Sequence, residues 1–396
     1  MATTLVLVIV ILAAVAFDFT NGFHDTANAM ATSIATGALK PIVAVILSAT
    51  LNFVGAFISI SVAATIAKGI IPNSVTSGIN GLAVVEAALI GAMLWNLVTW
   101  YFTIPSSSSH ALIGGLIGAA VASVGFSAVS VHGILGKVVA PGVLAIAICG
   151  AVAFLGTRAA YMLVRRLGQE DSRRGYRYGQ IGSASLVSLA HGTNDAQKTM
   201  GVVALALIST GHLSATHFSV PIWVKLICAS AMALGTATGG WRIINTMGNR
   251  ITTIESPQGF AAETSSSATI LASSYYGYPL STTQVVSGGV MGAGLGKRGG
   301  VVHWPVVGQM GVAWVITIPS AAIFGATAWN ISDIFGKNST AGAIVIAVVA
   351  AVCAFGLYTL SKRSRVTAAD LDRTNVTPEL EAQGALGAAT AGPALA

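Results

Sequence analysis

The chain has 396 residues, of which 54% are hydrophobic and only 8% are charged, and its mean hydropathy is +0.78. So few charges exclude an ordinary soluble domain. The continuous runs of Ala, Leu, Val and Ile exclude a transmembrane β-barrel, whose strands alternate between apolar and polar residues. Because only helices and closed barrels satisfy their backbone groups inside a lipid bilayer, the composition predicts an all-α integral membrane protein.

The net charge of +7 does not indicate a nucleic-acid partner. Basic residues concentrate in one central connection and directly behind the last apolar run, which is the positive-inside pattern of membrane proteins. We therefore expect a multi-pass protein of the cytoplasmic membrane whose central loop and C-terminus are cytoplasmic. The basic residues of these two regions are Arg158, Arg165, Arg166, Arg173, Arg174 and Arg177, followed by Lys362, Arg363 and Arg365.

The apolar segments predict about 10–12 membrane segments. An odd number of crossings before the basic loop turns the second half of the chain upside down relative to the first, which is an inverted-topology repeat built from broken helices and helical hairpins. Pairs such as 81–104 and 108–128 are candidates for re-entrant hairpins. The predicted segments are 4–30, 41–68, 81–104, 108–128 and 137–166, then 184–209, 220–240, 261–276, 280–297, 306–329 and 341–361. The predicted organisation is a first repeat (1–166), a cytoplasmic basic loop (167–183), a second inverted repeat (184–361) and a disordered cytoplasmic tail (362–396).

Two related polar signatures interrupt these apolar segments. The first runs from Asn21 to Thr32 and the second from His191 to Gly201, and their aspartates, Asp25 and Asp195, are 170 positions apart. A carboxylate inside a membrane segment is costly unless it is paired, hydrated or bound to an ion. Its recurrence indicates one site built from two halves.

A second repeated element is a proline followed by hydroxyl residues and a glycine pair. Pro105 lies 80 positions after the first aspartate, and Pro279 lies 84 positions after the second. A lone acid precedes each proline: Glu86 by 19 positions and Glu263 by 16 positions.

Hydroxyls at the start of a half-helix, together with free backbone N–H groups and the positive end of the helix dipole, suit a tetrahedral oxyanion. Buried carboxylates repel such an anion, so cations must lie between them. The predicted substrate-binding residues are Thr26, Asn28, Ser106, Ser107, Ser108, Ser109, Asn194, Ser281, Thr282 and Thr283. The predicted cation-coupling residues are Asp25, Asp195, Glu86 and Glu263 with the amides of Asn28 and Asn194, and the four acids are the metal ligands if the cation is Na⁺.

Structural alternatives stand beside these roles. The two aspartates could instead cap broken helices, the serine cluster could pack a tight hairpin, and the two glutamates could be snorkelling residues. Buried neutral histidines are the alternative to proton carriers. Lys198 is either a counter-charge to Asp195 or a snorkelling residue. The predicted proton carriers or counter-charges are His24, His110, His191 and Lys198.

At these residues the chain resembles the inorganic phosphate transporter (PiT) family, in particular its bacterial branch of low-affinity phosphate permeases. The resemblance covers residues 4–361 and rests on four elements in the right order, the two signatures and the two hydroxyl-rich hairpins. It implies an inverted-repeat helical fold, a phosphate site near the middle of the membrane, coupling to H⁺ or Na⁺ without any further cofactor, and a homodimer. Many members have Asn where this chain has His24, Asn or another polar residue where it has Lys198, and His where it has Gln284, which leaves the coupling ion open.

The predicted function is therefore secondary active import of inorganic phosphate by cation symport, and not an enzymatic reaction. A sulfate permease of the same fold is the main alternative. Sulfate carries no proton at neutral pH and would make no use of a carboxylate as a hydrogen-bond acceptor, whereas phosphate keeps one or two protons. An anion channel is a weaker alternative, because rings of Lys or Arg are expected to line such a pore.

Overall fold

The computed structural model describes residues 2–69, 78–167, 169–214, 216–336, 339–364 and 366–372. Within these ranges the chain forms fourteen numbered α-helices and a short helical stretch at 368–372, and the only extended pairing is one antiparallel bridge between Thr252 and Val302. The helices are α1 (Ala2–Ala35), α2 (Pro41–Gly55), α3 (Ser61–Gly69), α4 (Gly78–Tyr101), α5 (Ser108–Val124), α6 (Val131–Ile134), α7 (Ala140–Leu167), α8 (Gln169–Ser209), α9 (Ile222–Thr238), α10 (Trp241–Asn245), α11 (Ser256–Tyr275), α12 (Thr282–Gly296), α13 (Trp304–Asp333) and α14 (Thr340–Ser361).

Several of these helices are long and apolar enough to cross a membrane. By length and composition the described residues hold five such spans: α1, Gly81–Tyr101 of α4, Val131–Arg166, α13 and α14. A sixth is counted if α9 and Trp241–Arg250, which meet at 62°, form one bent span. Large apolar side chains on these spans point outward, including Leu12, Val315 and Phe355. The helices and their apolar outer faces confirm the predicted all-α, multi-pass membrane fold.

The helix breaks lie elsewhere than at the two signatures. Helix α1 runs unbroken through Asp25, and α8 runs unbroken through Asp195. The predicted segment 41–68 is instead split between α2 and α3, and α9 ends before Gly239, whose φ of +73° belongs to the left-handed region that glycine tolerates. The two aspartates lie inside continuous helices, so the alternative that they cap broken helices is wrong.

Two regions differ from the loops expected of them. Helix α8 begins at Gln169, so most of the predicted loop 167–183 is helical, and its 41 residues extend over about 60 Å. Its membrane side stays a prediction. In the predicted tail, residues 362–364 and 368–372 are also helical, and Leu371 is buried. The prediction of disorder for 373–396 falls outside the described residues.

The buried apolar residues form two core clusters, and the arrangement is inverted between the two halves of the chain. The first core cluster includes the hairpin of α4 and α5, and the second includes the hairpin of α11 and α12. Helix α1 contributes Val6 to Phe17 to the first cluster and Ala27 to Ile34 to the second. Helix α8 contributes Ala184 to Ala190 to the second cluster and Ala196 to Leu207 to the first. In each helix the polar signature lies where one cluster gives way to the other.

The repeated glycines bring the short hairpin helices against their neighbours. Helix α5 packs on α13 and α12 packs on α7. A Cβ atom at Gly118 would overlap the carbonyl oxygen of Ala322 in α13, and one at Gly292 would overlap that of Gly150 in α7. These helices have 17 and 15 residues, about 25 and 22 Å, which is shorter than the ~30 Å hydrocarbon layer. Close packing on long helices therefore holds each short helix with its first turn inside the protein.

We expect Gly118→Val to lower the free energy of unfolding by at least about 1–3 kcal/mol, because overpacking forces backbone atoms apart. Gly311→Val in α13 is the matched control, since no atom lies within 4 Å of a Cβ placed there. Thermal unfolding of the purified protein in detergent measures both. Equal melting temperatures for the two variants would contradict the packing role of Gly118.

Candidate functional site

The two signatures meet at the junction of the two core clusters. One carboxylate oxygen of Asp25, one of Asp195 and one ring nitrogen of His191 all lie within 4.8 Å of one another. All three side chains are at most 1% exposed. The structure thus brings the aspartates of both halves, 170 positions apart in sequence, into one buried site.

The aspartate of the first half is held by both hairpins. Ser108 donates to Asp25 Oδ2 at 2.6 Å, and Thr283 donates to Asp25 Oδ1 at 3.4 Å. His24 Nδ1 lies 2.7 Å from Asp25 Oδ1. The amide of Asn28 donates to the hydroxyls of Thr283 at 2.9 Å and Thr282 at 3.2 Å. The amide oxygen of Asn28 is buried and has no hydrogen-bond partner.

The aspartate of the second half has a similar environment, with one cation added. Thr282 donates to Asp195 Oδ2 at 3.2 Å, as Ser108 does to Asp25. The ammonium of Lys198 lies 2.6 Å from Asp195 Oδ1. It also donates to Ser109 Oγ at 2.5 Å and to the carbonyl oxygen of Leu280 at 2.8 Å. Lys198 is 2% exposed, so it is a buried counter-charge and not a snorkelling residue.

Both hairpin tips begin a helix directly at this site. Ser107 is the N-cap of α5 and accepts the backbone N–H of His110, and Ser281 is the N-cap of α12 and accepts that of Gln284. Their hydroxyls are engaged in capping, while Ser108, Ser109, Thr282 and Thr283, one or two positions further on, face the signatures. The first turns of both helices bring free N–H groups and the positive end of the helix dipole to the site.

A chain of hydrogen bonds determines which nitrogen of His191 carries its proton. Thr236 donates to the carbonyl oxygen of Gly22 and therefore accepts from the amide of Asn52. The amide oxygen of Asn52 then accepts from His191 Nδ1 at 3.1 Å. This leaves His191 Nε2 facing Asp195 Oδ2 at 3.4 Å. A proton or another cation between these two atoms removes the repulsion of their lone pairs.

The charges of the site do not balance on their own. Two carboxylates and one ammonium leave a net charge of −1 when the histidines are neutral. The repulsion between two carboxylate oxygens no more than 4.8 Å apart is on the order of 3 kcal/mol at an effective dielectric constant of about 20. The site therefore favours one further cation even before an anion enters.

The two membrane acids lie apart from this cluster and differ from each other. Glu263 accepts hydrogen bonds from Thr32 at 2.5 Å, Ser183 at 2.6 Å and Gln180 at 3.3 Å. Both carboxylate oxygens of Glu86 are buried without a hydrogen-bond partner. Among the described side chains, no hydrogen bond joins either acid to Asp25 or Asp195.

The repeat explains this difference. Shifted by 170 positions, the three partners of Glu263 correspond to Val202, Ala13 and Val10, which offer Glu86 no hydrogen bond. Val10 and Val202 are completely buried in the first core cluster. Glu86 is therefore an uncompensated acid in an apolar environment, whereas Glu263 is embedded in a polar network.

Four further predicted residues take other positions. Thr26 donates to Gly22 O within α1, and Asn194 donates to Ser274 at 2.9 Å and so binds α11. His110 Nδ1 lies 3.3 Å from the amide nitrogen of Gln284, which links the two hairpin tips. Ser106 contacts His24 Nε2 at 3.4 Å. Ser106 and His110 therefore contact residues at the edge of the site, while Thr26 and Asn194 form hydrogen bonds that hold its helices in place.

Sequence reasoning did not identify several supporting residues. Asn52 orients His191, and Thr99 contacts both His24 and Ser106. Asp18 is fully buried and accepts from Thr199 at 2.9 Å. Asn52 and Thr99 are polar residues inside apolar segments, and that position is the signal that could have found them.

We expect Glu86→Leu to raise the free energy of unfolding by about 1–3 kcal/mol, because it removes a buried polar group that has no partner. Glu263→Leu is the matched variant at the repeat-related position. It should lower the free energy of unfolding by about 1–3 kcal/mol, since it removes the carboxylate to which three side chains donate. Thermal unfolding in detergent compares the two, and an equal loss of stability in both would show that Glu86 has a partner of its own.

Comparison with known proteins identifies close relatives over most of the chain. A family model described as "Phosphate transporter family" matches residues 21–325. A protein of Mycobacterium bovis named "Probable low-affinity inorganic phosphate transporter" is 52% identical over 375 residues, which is 95% of this chain and 87% of that protein. A Bacillus subtilis protein of the same name is 43% identical and covers 82% of this chain and 96% of its own length.

A solved structure supports the fold. The protein described as "The sodium-dependent phosphate transporter" superimposes with a TM-score of 0.75 at 24% identity, over 83% of this chain and 99% of the solved one. The names of the relatives agree with the prediction that the chain is not an enzyme. The family model, the identities and the order of the four motifs all agree, and the chain belongs to the phosphate transporter family.

Proposed function

We propose that this protein imports inorganic phosphate across the cytoplasmic membrane by symport with H⁺ or Na⁺. The observation that carries the proposal is the buried convergence of two carboxylates, one ammonium and two helix N-termini. An oxyanion enters this site only together with cations, because a low dielectric makes uncompensated charge costly. Anion and cation occupancy are therefore coupled, which is the requirement of a symporter.

Phosphate fits the donors and acceptors at the two hairpin tips. The backbone N–H groups of the first turns of α5 and α12 and the amide of Asn28 donate to its oxygens. Phosphate keeps a proton at neutral pH and can donate it to Asp25 or Asp195, which sulfate cannot do. This difference favours phosphate over sulfate as the substrate.

The coupling cation binds between Asp25, Asp195 and His191, whose ligand atoms converge. Carboxylate oxygens suit Na⁺, and the carboxylate and His191 Nε2 suit a proton. The acids Glu86 and Glu263 belong to the same proposal as secondary cation positions, with Glu86 the uncompensated one of the two. An anion channel requires a ring of basic side chains that line its pore, whereas Lys198 is ion-paired with Asp195.

Alternating access follows from the two core clusters. Helices α1 and α8 pass through both clusters, and each hairpin tip bonds to signature residues of both halves, as Ser108 does to Asp25 and Ser109 to Lys198. Rocking of one cluster against the other exposes the site to each side in turn. The same proposal includes a homodimer. It also places the central connection and the C-terminus in the cytoplasm, which the basic residues of these two regions support.

Radiolabelled phosphate uptake into proteoliposomes tests the proposal and distinguishes the coupling ion. We expect accumulation driven by an imposed proton or sodium gradient and inhibition by excess arsenate but not by excess sulfate. Accumulation under only one of the two gradients identifies the cation. Strong competition by sulfate would transfer the proposal to a sulfate permease, and equilibration without accumulation would indicate a channel.

We expect Asp25→Asn to reduce gradient-driven phosphate uptake by about a hundredfold, since the lost attraction between this carboxylate and the coupling cation is on the order of 3 kcal/mol at a separation of about 5 Å. The same assay with equal amounts of reconstituted protein measures the loss. Asp372→Asn, which removes an exposed carboxylate at the end of the described chain, is the control and should transport normally. Normal accumulation by the Asp25 variant would contradict coupling through this carboxylate.

A further inference from the structure

The two halves of the site differ at one equivalent position. Asn28 in the first signature corresponds to Lys198 in the second, each three positions after its aspartate. We propose that the ammonium of Lys198 is a resident cation, which occupies permanently a position that the first half leaves to an exchangeable cation. This inference rests on the proposed symport and predicts how many charges move with each phosphate.

The contacts of Lys198 resemble those of a bound metal cation. Its Nζ is surrounded by three oxygen atoms of three chemical types: a carboxylate of Asp195, a hydroxyl of Ser109 and the carbonyl of Leu280. The ammonium is completely enclosed by the helices that build the site, at 2% exposure. Oxygen ligands of this kind are those that hard cations take in proteins.

The equivalent contacts of Asn28 show what the first half lacks. The amide nitrogen of Asn28 bonds to Thr283 at 2.9 Å, as Lys198 Nζ bonds to Ser109. Thr283 in turn bonds to Asp25, the equivalent of Asp195. Here the polar group is neutral, and the amide oxygen of Asn28 is buried without a partner. Asp25 has His24 Nδ1 at 2.7 Å but, in the described part of the chain, no lysine beside it. The first half therefore lacks a permanent cation at the position of Lys198 and has a free amide oxygen, that of Asn28, in its place.

A covalently attached cation compensates charge but is not released with the substrate. A site with a neutral residue at both positions would need one more mobile cation for the same anion. We therefore expect Lys198→Asn, which makes the second half match the first, to transport one additional positive charge with each phosphate. The kind of cation, H⁺ or Na⁺, does not affect this expectation.

The experiment measures phosphate accumulation at equilibrium in proteoliposomes whose membrane potential is set with potassium and valinomycin. Sodium concentration and pH are equal on both sides, so the accumulation ratio depends on potential only through the net charge moved per phosphate. One additional charge makes the accumulation ratio rise a further tenfold for every increase of about 59 mV in the inside-negative potential. We expect this steeper dependence in Lys198→Asn and the wild-type dependence in Lys198→Arg.

Lys225→Asn serves as the matched control, because it removes a lysine from α9 that belongs to no part of the site. In this variant the phosphate accumulation ratio should depend on membrane potential as it does in the wild type. An unchanged dependence in Lys198→Asn, at whatever uptake rate, would overturn the inference.

A second measurement keeps the inference testable if Lys198→Asn does not transport. Thermal unfolding of the purified variant in detergent is followed with increasing NaCl against choline chloride, and over a series of pH values. A ligand that binds only the folded state raises the melting temperature. We expect stabilisation by Na⁺ or by protons in Lys198→Asn and less in Lys198→Arg. No difference between these variants would overturn the resident-cation role.

The two proposals fail in distinguishable ways. A wild-type protein that accumulates no phosphate under either gradient contradicts the proposed symport. The cation-dependent unfolding of Lys198→Asn still decides whether Lys198 stands in for a bound cation.

Discussion

Two carboxylates buried within 4.8 Å of each other are the constraint on which the rest of the structure depends. Asp25 and Asp195 are at most 1% exposed, so their charges depend on neighbouring groups that donate hydrogen bonds or supply positive charge. The hydroxyls of both hairpins, Lys198 and the first turns of α5 and α12 meet this requirement together. The same requirement makes occupancy by anion and cation interdependent.

The inverted relation of the two halves of the chain brings the two buried aspartates together. Helices α1 and α8 cross both core clusters in opposite order, so their polar signatures meet at the boundary between the clusters. Glycines such as Gly118 and Gly292 let the short hairpin helices approach long neighbours closely enough to end inside the protein. Packing outside the site thereby places helix N-termini inside it, where an anion can use them.

Inversion does not make the two halves chemically equal. Lys198 stands where the first half has Asn28, and Glu263 has three hydrogen-bond donors where Glu86 has none. The two related halves thus carry different charge distributions. We interpret this asymmetry as the division of the site into a half with a resident cation and a half that exchanges one, which is the kind of difference that sets how many ions accompany a substrate.

The sequence by itself determined the membrane class, the repeat and most residues of the candidate site, because hydropathy, charge placement and motif spacing can be seen directly in the linear sequence. It did not reveal that the signatures lie in unbroken helices, that Ser107 and Ser281 are caps, or that Asn52 and Thr99 orient the histidines. Those features depend on which side chains meet across helices distant in the chain. Only tertiary packing decides such encounters, since similar residues, such as Glu86 and Glu263, acquire different partners from different neighbours.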